Sequence, residues 1–254
     1  MPLDPNLDPA RRPVPQVYRD IPVAEQHRRV NEGTGFFAPE VPPLDATRSY
    51  MRLYLEERQT WDECPELGVV RSPYEGSVTG YALPIKTSTW DAMEDPGKVL
   101  KTLVRVLWEE ARTDHALLRD VDRSMLGDMV GVYFRHEGWA PPKGQEKQAL
   151  ATHRAGMPYR FENAKDRREC RAITAVMVDG SVVRATEFRD EPGHLRSGIY
   201  HLLKEGKAPE ESPVNWIGGQ HLTALLKISY GLVAYMRPAW ANTRVPEDQG
   251  GRVL

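Results

Sequence analysis

The sequence predicts an α+β fold, and three observations lead there. Asp179-Gly180 stands between two apolar runs, the strongest short-range signal of a β-hairpin. A second pair of short strands reads from "ELGVVRSPYEGSVTGYALPIK", about a Pro-Tyr-Glu-Gly turn. Around these lie segments with apolar residues at helical spacing, and strands and helices do not alternate as regular βαβ units. The expected architecture is two antiparallel β-hairpins, separate or joined in one sheet, packed with about five helices. An extended Pro-rich N-terminal arm precedes them.

The arm is residues 1–44. It holds nine prolines and little apolar periodicity. Proline fixes φ, removes a donor and drives the preceding residue from the α region, so an extended segment is expected. A single α+β domain then spans 45–238, and 239–254 forms a polar tail. Asp45 is the expected cap of a first helix, with Tyr50, Met51, Tyr54 and Trp61 on one side. Residues 95–112 read as the clearest helix: Pro96 in the first turn, then an apolar stripe of Val99, Leu100, Leu103, Val104, Leu107, Trp108 and Ala111. A short helical piece is expected at 114–121. Leu126, Met129, Val130 and Tyr133 then share a helical face, ended by "HEGWAPP", where His136 would complement the helix dipole and Trp139 fold back on the core.

Residues 138–168 read as a long, Arg-rich polar connection, with a short helix near 144–156. The hairpin follows. A two-residue turn at Asp179-Gly180 would set Val178 against Ser181, Val176 against Val183 and Ala175 against Arg184. A helix over 193–206 is expected next, with Leu195, Ile199, Leu202 and Leu203 inward. Residues 220–236 give the last helix, presenting Leu222, Leu225, Leu226, Leu232, Val233 and Met236.

With 254 residues the chain is long enough for a sizeable core. Its net charge of −2 gives no global field toward nucleic acid or anionic lipid. Cys64 and Cys170 stand alone, without a CxxC or Cys/His cluster, so no structural zinc site is expected. Two free thiols, no N-terminal apolar segment and no long apolar run point to a cytoplasmic protein without a membrane span.

For chemistry, the polar run after the hairpin is the first candidate: Glu187, Arg189, Asp190, His194 and His201, with Arg184 reaching from the hairpin. Histidine beside carboxylates suits acid–base work. His194 and His201 cannot chelate one ion from a continuous helix, because seven residues separate them by roughly 10.5 Å along the axis. Glu187-Phe188-Arg189 has the outline of a D/E-x-K nuclease element, with arginine where lysine would polarise water. A solvated helix start explains the same residues. The second candidate is a basic stretch of Arg154, Arg160, Lys165, Arg167, Arg168 and Arg171. Tyr159 and Phe161 interleave as stacking platforms, while Glu162, Asp166 and Glu169 dilute the charge. Cys170, with those arginines beside it, reads as an inert thiol at a strand start. Gly218-Gly219 precedes a helix but matches no phosphate-loop fingerprint, and no cofactor is expected.

No complete catalytic constellation emerges. The leading expectation is a non-enzymatic binding or regulatory protein, meeting another protein or itself through the arm. Two alternatives stand beside it. One is an enzyme on a phosphorylated or nucleic-acid substrate, using the cluster after the hairpin. The other is a nucleic-acid-associated protein using 154–171.

Overall fold

The computed structural model describes residues 41–58, 60–74, 76–93, 96–107, 117–126, 128–145, 165–201, 221–222, 224–229 and 231–232. The expectations for the arm up to residue 40, for the helix near 144–156 beyond residue 145, and for the tail lie outside these residues.

The α+β class holds, with a different arrangement. The two expected antiparallel strand pairs are present, joined with two further strands in one six-stranded antiparallel sheet, in the order β2-β1-β3-β4-β5-β6. The strands are β1 (Glu66–Arg71), β2 (Thr79–Ala82), β3 (Met129–Ala140), β4 (Arg168–Met177), β5 (Ser181–Phe188) and β6 (Arg196–His201). Among the described residues the helices are α1 (Leu44–Glu56), α2 (Thr87–Met93), α3 (Pro96–Arg105), a 3₁₀ turn at Arg123–Leu126 and helical residues at 221–222, 224–229 and 231–232.

Helices cover both faces of this sheet. On one face α1 lays Met51 and Leu55 against Tyr133, Ile173, Ala175 and Val183. On the other, Val99, Leu100 and Leu103 of α3, Trp90 of α2 and Leu225, Ile228 and Leu232 of the last helix meet Val132, Phe134, Val176 and Val182. We call these the α1 face and the α3 face. Each fully buried aliphatic side chain of this kind contributes about 1.5–3 kcal/mol relative to exposure.

Several expectations are corrected. Residues 129–140, read as a helix and its glycine stop, are the longest strand of the sheet. Its first seven residues are buried whichever way they point, so period-two alternation is hidden. Gly138 lies inside the strand, which ends at Ala140, and β4 begins at Arg168. Residues 196–201, read as helix, are strand β6, which pairs with β5 from Thr186↔Arg196 to Ser181↔His201. Helix α1 starts after Pro43 and ends at Glu56, so Trp61 lies beyond it. Asp45 does not cap it; its carboxylate pairs with Arg48 at 2.7 Å in the first turn. Residues 117–120 form a turn, with Leu117 and Leu118 buried.

The β4–β5 hairpin exists with its register moved by one. Val176 faces Val182, Ala175 faces Val183, and Thr174 faces Arg184. The turn has three residues, Val178, Asp179 and Gly180. The Gly180 N–H bonds the Met177 carbonyl at 2.9 Å, and Gly180 alone takes positive φ, at 82°. A two-residue type I′ turn would have forced Asp179 to positive φ as well. Instead the Asp179 carboxylate accepts the Ser181 N–H at 2.8 Å and its hydroxyl at 2.9 Å.

Candidate functional site

The antiparallel register sorts charge between the two faces. On β3 to β5 the carboxylates Glu137, Glu169 and Glu187 all fall on the α1 face, with Arg135 and Arg171. On the α3 face the same strands and β6 carry Arg168, Arg184, Arg196 and His136, and no carboxylate.

At the polar end of the α1 face, residues 57–58 and 60–65 lie against the sheet and join a lattice of ion pairs. Arg171 and Glu187, both buried, meet at 2.5 and 2.6 Å. Arg171 also donates to the Thr60 carbonyl at 3.2 Å, and Glu187 accepts the Gly193 N–H at 2.8 Å. Arg135 binds Glu63 at 3.0 Å and the Cys64 carbonyl at 2.8 Å. Glu66 accepts from the hydroxyls of Tyr54 and of Tyr133, the latter at 2.7 Å. Burial, and then the Glu66 charge, push the Tyr133 phenol far above its usual range. Desolvation opposes ionisation of Glu63, but the Thr60 hydrogen bond and the charges of Arg135, Arg58 and Arg171 hold it below the usual carboxylate value. Two guanidinium groups lie near the Trp61 ring, that of Arg171 at 5.0 Å and that of Arg189 at 5.3 Å.

The polar run after the hairpin is divided among these pairs. Arg189 binds Glu169 at 2.8 Å and Asp62 at 3.4 Å. Asp190 grips Arg168 in a fork at 2.8–3.1 Å. The Arg168 hydrogen bond lowers the Asp190 pKa. Glu191 collects Lys143, Arg196 and Arg168, which bring its pKa down to about 2. His194 is exposed in an open groove with Arg52, Glu191, Gly193, Leu195 and Arg196. His201 ends β6 opposite Ser181. Glu187, Arg189 and Asp190 are thus held in three separate ion pairs, and His194 lies in the open groove.

The basic stretch is likewise divided. Arg168 and Arg171 are buried in their ion pairs, and Arg167 stacks on Trp139 at 3.8 Å. Lys165 is exposed, while Arg154 and Arg160 lie outside the described residues. Cys170 is a buried free thiol, and burial raises its pKa to about 11, so it is protonated at neutral pH. One acidic triad, Asp62, Glu137 and Glu169, brings oxygens within 4.8 Å of one another. Its charge is already engaged: Arg189 bridges Asp62 and Glu169, and Glu137 accepts the Asp62 N–H at 2.8 Å.

The α3 face holds the group that sequence reasoning missed. Thr174 and Thr186 are 1% and 2% exposed, and neither hydroxyl has a hydrogen-bond partner. The same holds for the Tyr200 hydroxyl and for His136 Nε2, both shut off from solvent. Register sets Thr174 beside Arg184, and only Ala172 separates His136 from Thr186 across the strands. Gly198, without a side chain, pairs with Arg184 on the other side. The His136 ring stacks on Phe134 at 4.9 Å, and His221 meets Phe134 edge-on. Burial and then the Arg184 charge lower the His136 pKa to about 3. Burial lowers that of Arg184 to about 10.

Comparison with protein-family models, with curated proteins and with solved structures found no match to this chain. Among the described residues no helix is long and apolar enough to cross a membrane.

Proposed function

We propose that the protein is a non-enzymatic binding or regulatory protein that acts through protein–protein contacts, with the N-terminal arm as the contacting segment. One observation carries this reading. Glu187, Arg189 and Asp190, the residues best suited to acid–base or phosphate chemistry, are each committed to an ion pair within the fold. A catalytic acid or base must reach a substrate proton, and a catalytic arginine must meet developing charge. Groups held by opposite charges at 2.5–2.8 Å do neither without first breaking those pairs. The arm fits the reading by its composition: "VYRDIPV" and "GTGFFAPEV" offer apolar contacts on a proline-stiffened chain.

The test compares the full chain with a chain lacking residues 1–40, which leaves α1 and Pro43 intact. Light scattering gives the mass of each, and retention from cell lysate gives any heterologous partner. The reading expects a dimer or a stoichiometric partner that is lost with the arm. Two monomers with no retained protein would sink it.

A further inference from the structure

Beside α1 the sheet leaves a strip partly exposed. Helix α1 turns Thr47, Met51 and Leu55 into the core and lies over β4, β5 and β6. Arg48 and Arg52, each one position after a buried residue, stand half exposed on its flank. On β6, Ile199 pairs with Val183 and so shares the α1 face, yet it is 38% exposed. Leu195, just before the strand, packs on the same cluster and is only partly buried. Alternation sets Leu195, the small Ser197 and Ile199 in line along the edge of this face. At the Leu195 end of that line lies an open groove of about 580 Å³, to which α1 contributes Arg52.

The chain that leads into α1 indicates what fills this groove. Val41 packs against the cores of both faces, so the arm meets the fold at the margin of the sheet. From Leu44 to Arg52 the helix rises about 12 Å, which sets the distance back to the groove. Phe37 and Phe36 stand four and five residues before Val41 and are the large apolar residues of the arm nearest to α1. Four to five residues reach about 13–17 Å, enough for the pair to return along α1 to the groove. Pro39 between them and Val41 favours an extended course, so that reach is kept. Arg52 pairs with Glu56 through the edge of its guanidinium, which leaves the face to a ring. The fold uses this arrangement at Arg168, which binds Asp190 at 2.8 Å and lies 3.9 Å over Phe188.

We propose that the groove between α1 and β6 seats Phe36 and Phe37 of the same chain, with their rings on Leu195, Ile199 and the Arg52 guanidinium. The same chain is favoured over a second copy, because so short a tether gives an effective concentration on the order of millimolar. The seat goes beyond the partner-binding reading and does not need it. It anchors the arm beside α1 and leaves the segment around "VYRDIPV" for a partner.

The experiment is photo-cross-linking in the full chain. Phe36 and Phe37 are replaced in turn by the photoreactive analogue p-benzoylphenylalanine. After irradiation, denaturing electrophoresis gives the mass of the product and mass spectrometry gives the peptide it reached. The expected product has the mass of a single chain and joins the arm to residues 193–199 or to Arg52. Ile199→Ser changes an exposed position, so the fold is kept. It lowers the yield about fivefold, on the scale of one to two methylene groups withdrawn from contact. Attachment elsewhere on the chain, or no attachment, overturns the proposal. So does a product with the mass of two chains, which would put a second copy's arm in the groove, or a yield that Ile199→Ser leaves unchanged. The protein is alone in this experiment, so the result is independent of whether the arm retains a partner.

Discussion

Arg171 and Glu187 show how a residue's chemistry is set by what lies across the sheet. The two are register partners on adjacent strands, and both side chains are buried. Burial makes the pair costly to assemble, because two ions leave water, and costlier to break. Glu187→Gln leaves a buried guanidinium without its carboxylate and is expected to destabilise the fold by about 3–5 kcal/mol. The double variant Arg171→Met, Glu187→Met removes both charges and is expected to regain most of that loss. Urea unfolding of the three proteins checks it; a single variant within about 0.5 kcal/mol of native would show that the pair adds nothing. The residue types of this lattice were legible in the sequence, but their partners were not. Glu187 reads as a candidate base until Arg171, 16 positions away, is found opposite it.

At the scale of elements, the hairpin signal and the stripe of α3 were legible because each is local. Aspartate-glycine marks a turn by its own backbone needs, and Val99, Leu100 and Leu103 repeat within the helix that buries them. Strands β3 and β6 were not, for two reasons. In β3 both faces of the strand are covered, so the run Met129 to Arg135 carries no alternation, and its apolar residues also satisfy helical spacing. At β6, Leu195 just before the strand and Ile199 within it stand four apart, which fits a helix as well as a short edge strand. The one-residue shift in the hairpin hid the polar patch as well, because a slip of one reverses every side chain. With the correct register, Arg184 and Thr186 on β5 and Thr174 on β4 share one face, a period-two polar signal within an apolar run. Packing between elements also constrains the backbone. A Cβ on Gly68 would lie 2.3 Å from the Tyr133 ring, which crosses β1 at that point. Gly68→Ala is expected to push Tyr133 off Glu66 and cost about 1–3 kcal/mol by overpacking. A changed near-ultraviolet tyrosine signal beside the lowered urea midpoint would separate this from simple loss of strand propensity. At Gly180, where φ is 82°, alanine is expected to cost about 1–2 kcal/mol by strain alone, with that signal unchanged.

Across the whole molecule, ion pairs flank the sheet on both faces and a neutral histidine is buried on one of them, and this arrangement gives stability a pH dependence. The His136 pKa is lowered from 6.5 to about 3 by burial, by the Arg184 charge and by the neighbouring His221 and Arg135. Between those values the unfolded chain binds a proton at this residue and the folded chain does not. Stability from this group is therefore complete above pH 6.5 and is lost as pH falls. The lowered pKa values of Asp190, Glu191 and Glu63 act the same way but lower down, since their stabilisation is lost only below the ordinary carboxylate range. The interval from pH 7.5 to 5 thus lies above the range in which these carboxylates act. The native chain is expected to lose about 2 kcal/mol across it, by the linkage of one fully excluded proton. His136→Phe, which cannot take up that proton in either state, should remove that contribution. Urea unfolding in phosphate-free buffers at pH 7.5, 6.5, 5.5 and 5 measures both. A variant with the native slope would mean that His136 protonates without disturbing the fold, and that its ring is not held neutral on the α3 face.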